Sequence, residues 1–118
     1  MILEDICGLL QAKLLTVNHD LSREVHAAFG SDMMSDVLAF AGNDTILITG
    51  LCNLQVIRTA EIMDLAGVIF IHGKYPDEQM LRMAKDIGLC VMVTDASMSH
   101  TCEKLYFAGL NGGANQSE

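Results

Sequence analysis

Three short apolar runs constrain the fold of this chain more than any other feature. Residues 45–49 (TILIT), 68–71 (VIFI) and 89–94 (LCVMVT) are nearly continuous in apolar side chains. Such runs are typical of strands that are covered on both faces, as in parallel sheets. Helical spacing fills the intervals, and Gly67 and Gly88 are expected to end those helices. The alternation predicts an α/β fold, a three-layer α/β/α sandwich with a mostly parallel central sheet.

The segments before the first run add elements to the same sheet. Residues 2–12 have helical apolar spacing, and residues 13–17 indicate a strand. Residues 23–30 alternate as in a short strand. We expect these strands to extend the sheet, with antiparallel pairing at an edge. The length of 118 residues predicts one domain over residues 1–110, followed by a flexible tail of small polar residues at 111–118.

Capping residues predict where the helices begin. Ser31 is expected to cap a helix over residues 32–40, and Asn53 to cap the next one. Pro76 is expected to open a helix at its first turn, and Asp95 or Ser97 to start the last helix. The apolar positions expected in the helix after Asn53 are Val56, Ile57, Ala60, Ile62, Met63 and Leu65.

The charge argues against two classes of partner. Seven Lys and Arg face fifteen Asp and Glu, a formal charge of −8. Nucleic-acid binding and attraction to anionic membranes both need basic clusters, so we expect neither partner. The apolar run at 67–71 is too short to cross a bilayer, and the first residues lack the basic region of a signal peptide. The four cysteines form no CxxC pair, which predicts reduced, buried thiols and a cytoplasmic location.

Ligands of open α/β sheets bind beyond the carboxyl ends of the strands, and that rule selects the candidate site. The loops that follow the three apolar runs carry hydroxyl, imidazole, ammonium and carboxylate groups beside helix N-termini, which favour anions. The alternative interpretation is that these residues serve only as turn formers and caps. The candidate ligand-binding residues are Ser31, Thr49, Gly50, Asn53, His72, Lys74, Thr94 and Asp95.

Catalytic and cofactor motifs are missing from the sequence. It contains no P-loop, no GxGxxG after a strand, no GxSxG and no HExxH, so we expect a non-enzyme without a cofactor. Cys52 with His72 or His100 is a conceivable catalytic pair, although their spacing does not force contact. His100 and Cys102 lie two residues apart, which on a helix points them to different faces and argues against a metal.

Self-association is the expected use of surplus apolar surface. Half of the residues, 51%, are hydrophobic, which is high for so short a chain. Residues 25–39, with their pair of methionines, are the expected contact segment between two copies. Within this segment, the candidate dimer-contact residues are Phe29, Met33, Met34 and Val37.

Several segments resemble the DRTGG domain family. The match includes the Ser-Asp-Met-Met-Ser-Asp-Val stretch at 31–37, the strand and glycine turn at 46–51, the helix at 56–61 and the strand at 88–94. The resemblance extends over roughly residues 5 to 110. The naming motif is absent, because residues 40–45 read FAGNDT at the corresponding place. Any role tied to that motif is therefore not carried over.

This resemblance implies a fold similar to the N-terminal domain of HPr kinase/phosphorylase. DRTGG domains accompany CBS domains in regulated pyrophosphatases and occur in long phosphate acetyltransferases, where they are regulatory parts or subunit contacts. The resemblance thus implies a non-catalytic regulatory module, with a protein partner in a redox or signalling system. We therefore expect a homodimeric regulatory or interaction module, with two alternatives: a sensor of a nucleotide or another anion, or an enzyme with a Cys/His site.

Overall fold

A computed structural model describes residues 1–16 and 20–112. The chain forms five helices and five strands within these residues. In chain order they are α1 (Leu3–Leu10), β1 (Lys13–Leu14), β2 (Ala27–Gly30), α2 (Met34–Phe40), β3 (Thr45–Thr49), α3 (Leu54–Met63), β4 (Gly67–Phe70), α4 (Glu78–Asp86), β5 (Cys90–Val93) and α5 (Met98–Phe107).

The strands form one sheet in the order β1-β5-β4-β3-β2. Strands β2 to β5 are parallel, and β1 pairs antiparallel with β5 at the edge. All residues of β3, β4 and β5 are buried, as their apolar runs require when helices cover both faces. The predicted α/β/α sandwich with a mostly parallel sheet is confirmed, and so is the antiparallel edge.

The strand order decides which helices share a face. Each parallel strand from β2 to β5 lies beside its predecessor, so successive right-handed crossovers place α2, α3 and α4 on one side. Their buried side chains, such as Val37, Ile57 and Met80, pack together with Phe70 in one core. Helices α1 and α5 cover the other face, where Leu105 belongs to a second core. No helix within the described residues is long and apolar enough to cross a membrane.

Two helix boundaries differ from the prediction. Helix α2 begins at Met34, because the Ser31 hydroxyl accepts a hydrogen bond from the backbone N–H of Met33 (3.0 Å) and forms a local turn. Helix α3 ends at Met63, where Asp64 adopts the left-handed conformation with φ 52°. Gly67 therefore does not end α3 but begins β4. Ile62 is 71% exposed, so its predicted place in the core was wrong.

The starts of α3 and α5 follow the expected capping chemistry, whereas the start of α4 differs. Asn53 caps α3, and Ser97, one of two alternatives, caps α5. Asp77 rather than Pro76 lies at the start of α4, where its carboxylate accepts a hydrogen bond from the backbone N–H of Met80 (2.9 Å). Local polar chemistry therefore determines these boundaries.

The strand β1 and the packed part of the chain end at other residues than the sequence predicts. The predicted strand at 13–17 is shortened to Lys13–Leu14, and Val17 lies outside the described residues. The backbone carbonyl of Asn111 accepts a hydrogen bond from Ala28 (3.0 Å), so the packed chain extends past the predicted domain end at residue 110. The rest of the predicted tail, residues 113–118, also lies outside the described residues.

Gly67 is required by the close approach of β4 and β5. A Cβ at this position would lie 3.1 Å from the backbone oxygen of Cys90 and 3.3 Å from its Cβ. We expect Gly67→Ala to lower the free energy of unfolding by about 1–3 kcal/mol, because the central strands must separate to admit the methyl group. Urea denaturation measures this change.

Gly8→Ala is the matched control. Gly8 lies within α1, and a Cβ there meets no described atom within 4 Å. This substitution should stabilise the protein by about 0.5–1 kcal/mol through helix propensity. Equal effects of the two substitutions would contradict the packing account of Gly67.

Candidate ligand-binding rim

The carboxyl ends of the four parallel strands bring four loops to one edge of the sheet. These loops, at 31–33, 50–53, 71–77 and 94–97, form what we call the carboxyl rim. The eight candidate ligand-binding residues lie in these loops or at the strand ends that lead into them. Sequence analysis therefore predicted their shared location correctly, while ligand binding by them stays a prediction.

Asp32 joins the first two loops of the carboxyl rim. Its Oδ1 accepts hydrogen bonds from the backbone N–H of Gly50 (2.6 Å) and from the Thr49 hydroxyl (3.1 Å). The same hydroxyl, which is buried, accepts a hydrogen bond from the backbone N–H of Leu51 (3.1 Å). The Thr49 hydroxyl thus donates one hydrogen bond and accepts another within the chain, and these two bonds hold the glycine turn in place.

Asp32 was not among the predicted ligand-binding residues. Its position next to Ser31, directly after β2, offered the available signal, because β2 and β3 end at the same edge. Its contact with Gly50 depends on the pairing of β2 with β3, which the sequence pattern did not determine. Asp32 is exposed and remains open to solvent on its outer side.

Lys74 extends across the rim from the loop after β4. Its Nζ donates a hydrogen bond to the backbone oxygen of Gly50 (3.0 Å), which ties this loop to the one after β3. The side chain is exposed, and within the described residues it makes no ion pair. Its ammonium group therefore has capacity to bind an anion.

Backbone hydrogen bonds close the junction between the loops after β4 and β5. The N–H of His72 donates to Ala96 (3.0 Å), and the N–H of Gly73 donates to Thr94 (2.9 Å). A Cβ at Gly73, where φ is 66°, would lie 2.9 Å from the Asp95 carboxylate, so glycine is needed here for two reasons. These loops lead to helices on opposite faces of the sheet, which is where α/β proteins open a crevice for a ligand. Here the two backbone hydrogen bonds join these loops to each other.

The remaining polar residues of the rim serve turns and caps. Asn53 Oδ1 accepts from the N–H of Val56 (3.3 Å), and the Ser97 hydroxyl accepts from the N–H of His100 (3.1 Å). The Thr94 hydroxyl accepts from the N–H of Ala96 (3.3 Å). The alternative interpretation of these loops as turn and capping chemistry therefore holds for these positions, whereas the side chains of Lys74 and His72 are exposed to solvent.

The cysteines are poorly suited to nucleophilic catalysis. Burial, with a smaller contribution from Asp77, raises the pKa of Cys52 despite the opposing charge of Lys74. Burial also raises the pKa of Cys7 and Cys102, and it raises the pKa of Cys90 to about 12. A thiol with a raised pKa is protonated at neutral pH and reacts slowly.

Neither the Cys/His pair that the sequence left open nor the His100–Cys102 pair that it argued against is joined by a hydrogen bond among the described residues. None of the hydrogen bonds among residues 1–16 and 20–112 joins Cys52 to a histidine. His100 is exposed on α5, whereas Cys102 is buried. Within that same part of the chain, no group of three or more metal-ligating side chains is found.

The candidate dimer-contact residues divide into two groups. Met34 and Val37 are buried in the chain's own core against α3, so they are unavailable to a second copy and the prediction needs correction there. Met33 is 60% exposed, and Phe29 is half-buried on β2. Sequence analysis missed other exposed apolar side chains on α2 and α5, namely Leu38, Phe40, Tyr106 and Phe107.

Cavities lined by the described residues also lie away from the carboxyl rim. One of about 310 Å³ lies at the opposite edge of the sheet, beside Arg23 and Asp86. A second, about 530 Å³, lies on α5 and is mostly apolar. A third, about 290 Å³, lies between α4 and the residues that follow β1.

Comparison with known structures identifies the architecture. The structure is similar to the crystal structure of the CBS and DRTGG domains of the regulatory region of Clostridium perfringens pyrophosphatase, complexed with the activator diadenosine tetraphosphate. The TM-score is 0.67 at 16% sequence identity, over 99% of this chain and 50% of that chain. The fold is DRTGG-like. The expectation from the sequence is thereby confirmed for the fold, and the chain spans half the length of the structure that it matches. No family model and no curated protein matches the chain.

The Asp32 contacts of this DRTGG-like fold generate a direct test. Asp32→Ala removes the acceptor of the Gly50 N–H, and we expect a loss of about 1 kcal/mol in unfolding free energy, since Asp32 is exposed. Hydrogen exchange at the Gly50 amide should accelerate. Asp32→Asn keeps an acceptor oxygen and should preserve most of the protection. Unchanged exchange in Asp32→Ala would show that this hydrogen bond does not hold the loop.

Proposed function

We propose that the chain is a non-catalytic regulatory module that acts through self-association. The observation that carries this proposal is exposed apolar surface on the two elements that flank edge strand β2. On α5, Phe107 is 86% exposed beside Tyr106, and on the other face Met33 precedes α2. Apolar groups of this size rarely remain open to water in clusters unless a partner covers them.

Strand β2 supplies a backbone edge at the centre of this surface. It is the last strand of the sheet, and on its outer side the described chain pairs with it through Asn111 beside Ala27. Beyond this contact, an open strand edge is a template for pairing with another chain. Two copies related by a twofold axis would align their β2 strands antiparallel and bring the apolar side chains of α2 and α5 together.

The chemistry of the rim supports the absence of catalysis. The Thr49 and Thr94 hydroxyls bind backbone groups of their own loops, and the Cys52 thiol has a raised pKa. An enzyme with a Cys/His site is therefore the least favoured alternative. The structural neighbour comes from a regulatory region, which also favours regulation over catalysis.

Sedimentation velocity tests the self-association. We expect a dimer for the wild-type chain at micromolar concentration and a monomer for the double variant Met33→Glu/Phe107→Glu, because charges would be buried in the contact.

Ile62→Glu is the matched control for that experiment. Ile62 is equally accessible but lies on α3, away from β2, so this variant should remain a dimer. A monomeric wild-type chain, or a double variant that still dimerises, would refute the proposal.

A second candidate function is the sensing of a nucleotide or another anion at the carboxyl rim. The exposed Lys74 ammonium favours it, since it lies near the N-termini of α3 and α4, which attract anions. The structural neighbour carries a nucleotide activator, which suggests the ligand class to try. This function is compatible with self-association.

Thermal unfolding with diadenosine tetraphosphate tests the sensing function. A ligand at one hundred times its dissociation constant adds about 2.7 kcal/mol, which raises the Tm of a domain of this size by on the order of 5–15 °C. Lys74→Ala should abolish the shift, whereas Arg58→Ala, on the exposed side of α3, should keep it. A wild-type chain without a shift would rule out this ligand.

A further inference from the structure

The cavity beside β1 combines an open strand edge with a local excess of positive charge. It has a volume of about 290 Å³ and lies between the residues that follow β1 and one side of α4. Leu15 and Leu81 supply apolar surface there, and Arg82 and Lys85 lie beside them. We propose that this groove binds an extended acidic peptide of a partner protein, which adds a strand to β1.

The register of β1 leaves backbone groups for such a strand. Leu15 donates its N–H to Val91 (2.9 Å), so Lys13 and Leu15 direct their backbone groups towards β5. In an antiparallel pair the intervening residue directs its N–H and carbonyl outwards, which here is Leu14. Within the described residues no strand pairs with this outer side. Main-chain bonding of this kind is a common mode of peptide recognition.

The side chains determine which peptide fits. Two of the seven Lys and Arg of this acidic chain line the groove, namely Arg82 and Lys85. Lys13 shares the α4 side of β1 and lies over the Tyr75 ring, 5.4 Å from its centroid. Glu78 is paired with Arg82 at 3.0 Å, but both side chains are largely exposed. Such a surface pair is weak and is readily replaced by a carboxylate from a partner.

Charge also argues against a second copy at this edge. A twofold dimer through β1 would place Arg82 and Lys85 of one chain near the same residues of the other, because such interfaces are self-complementary. Like charges so placed repel. An acidic peptide meets Arg82 and Lys85 with the opposite sign.

Fluorescence anisotropy tests the proposal with a fluorescein-labelled heptapeptide of alternating Glu and Val. We expect it to bind the full chain, and we expect Arg82→Glu/Lys85→Glu to weaken binding by about tenfold or more. The control Arg58→Glu/Lys104→Glu changes the net charge equally on the exposed sides of α3 and α5, and it should bind within about twofold of the wild type. Circular dichroism confirms that each variant is folded. Equal weakening by both double variants, or no binding by the wild type, overturns the proposal.

Two N-methylated peptides test strand addition itself. One carries methyl groups on all Val amides and the other on all Glu amides. A strand on β1 uses the N–H groups of alternate residues, so one peptide should bind and the other should not. Equal behaviour of the two peptides overturns strand addition. A change in sedimentation on Arg82→Glu/Lys85→Glu would assign the edge to a second copy and overturn the acidic partner.

Discussion

Burial of β3, β4 and β5 on both faces is the constraint on which the rest of the structure depends. Their side chains point alternately into two cores, so a helix layer is needed on each face of the sheet to exclude water from both cores. The close contact of Gly67 with Cys90 shows how tightly the central strands meet. The parallel arrangement then places every loop that follows these strands at one edge. The position of the carboxyl rim therefore follows from the parallel arrangement of the strands and not from any particular side chain.

Hydrogen bonds join each loop of the carboxyl rim to its neighbour. Asp32 binds the loop after β3, Lys74 binds the same loop from the other side, and backbone bonds join the loops after β4 and β5. Most of its polar groups are thus occupied by stabilising the protein. The same few polar atoms of the rim would have to serve both the stability of the loops and the binding of a ligand. By contrast, within the described residues no strand pairs with the outer side of β1, β2 pairs there through Asn111 alone, and both edges carry exposed apolar or basic side chains nearby.

The sequence predicted those features of the fold that depend on residues close together in the chain. Continuous apolar runs identified the three central strands, and short polar side chains identified the starts of α3 and α5. Periodicity alone did not separate Ile62, which is exposed, from Ile57 on the same helix, which is buried. It likewise did not show that Met34 faces its own core while Met33 faces solvent. The role of Asp32 depends on a loop 17 or more residues away, so no local pattern encodes it.

Strand β2 and the segment before it are held by residues that are distant in the sequence. The N–H of Val25 donates to the carbonyl of Met1 (2.7 Å), and the N–H of Ala28 donates to Asn111 (3.0 Å). Contacts between residues so far apart close long loops, which delays their formation during folding. The contact of Ala28 with Asn111 joins residues much farther apart than the paired residues of the central strands, so its closure costs more chain entropy. A chain that has not yet made this contact presents β2 without the covering given by Asn111, and an uncovered strand edge can pair with another strand.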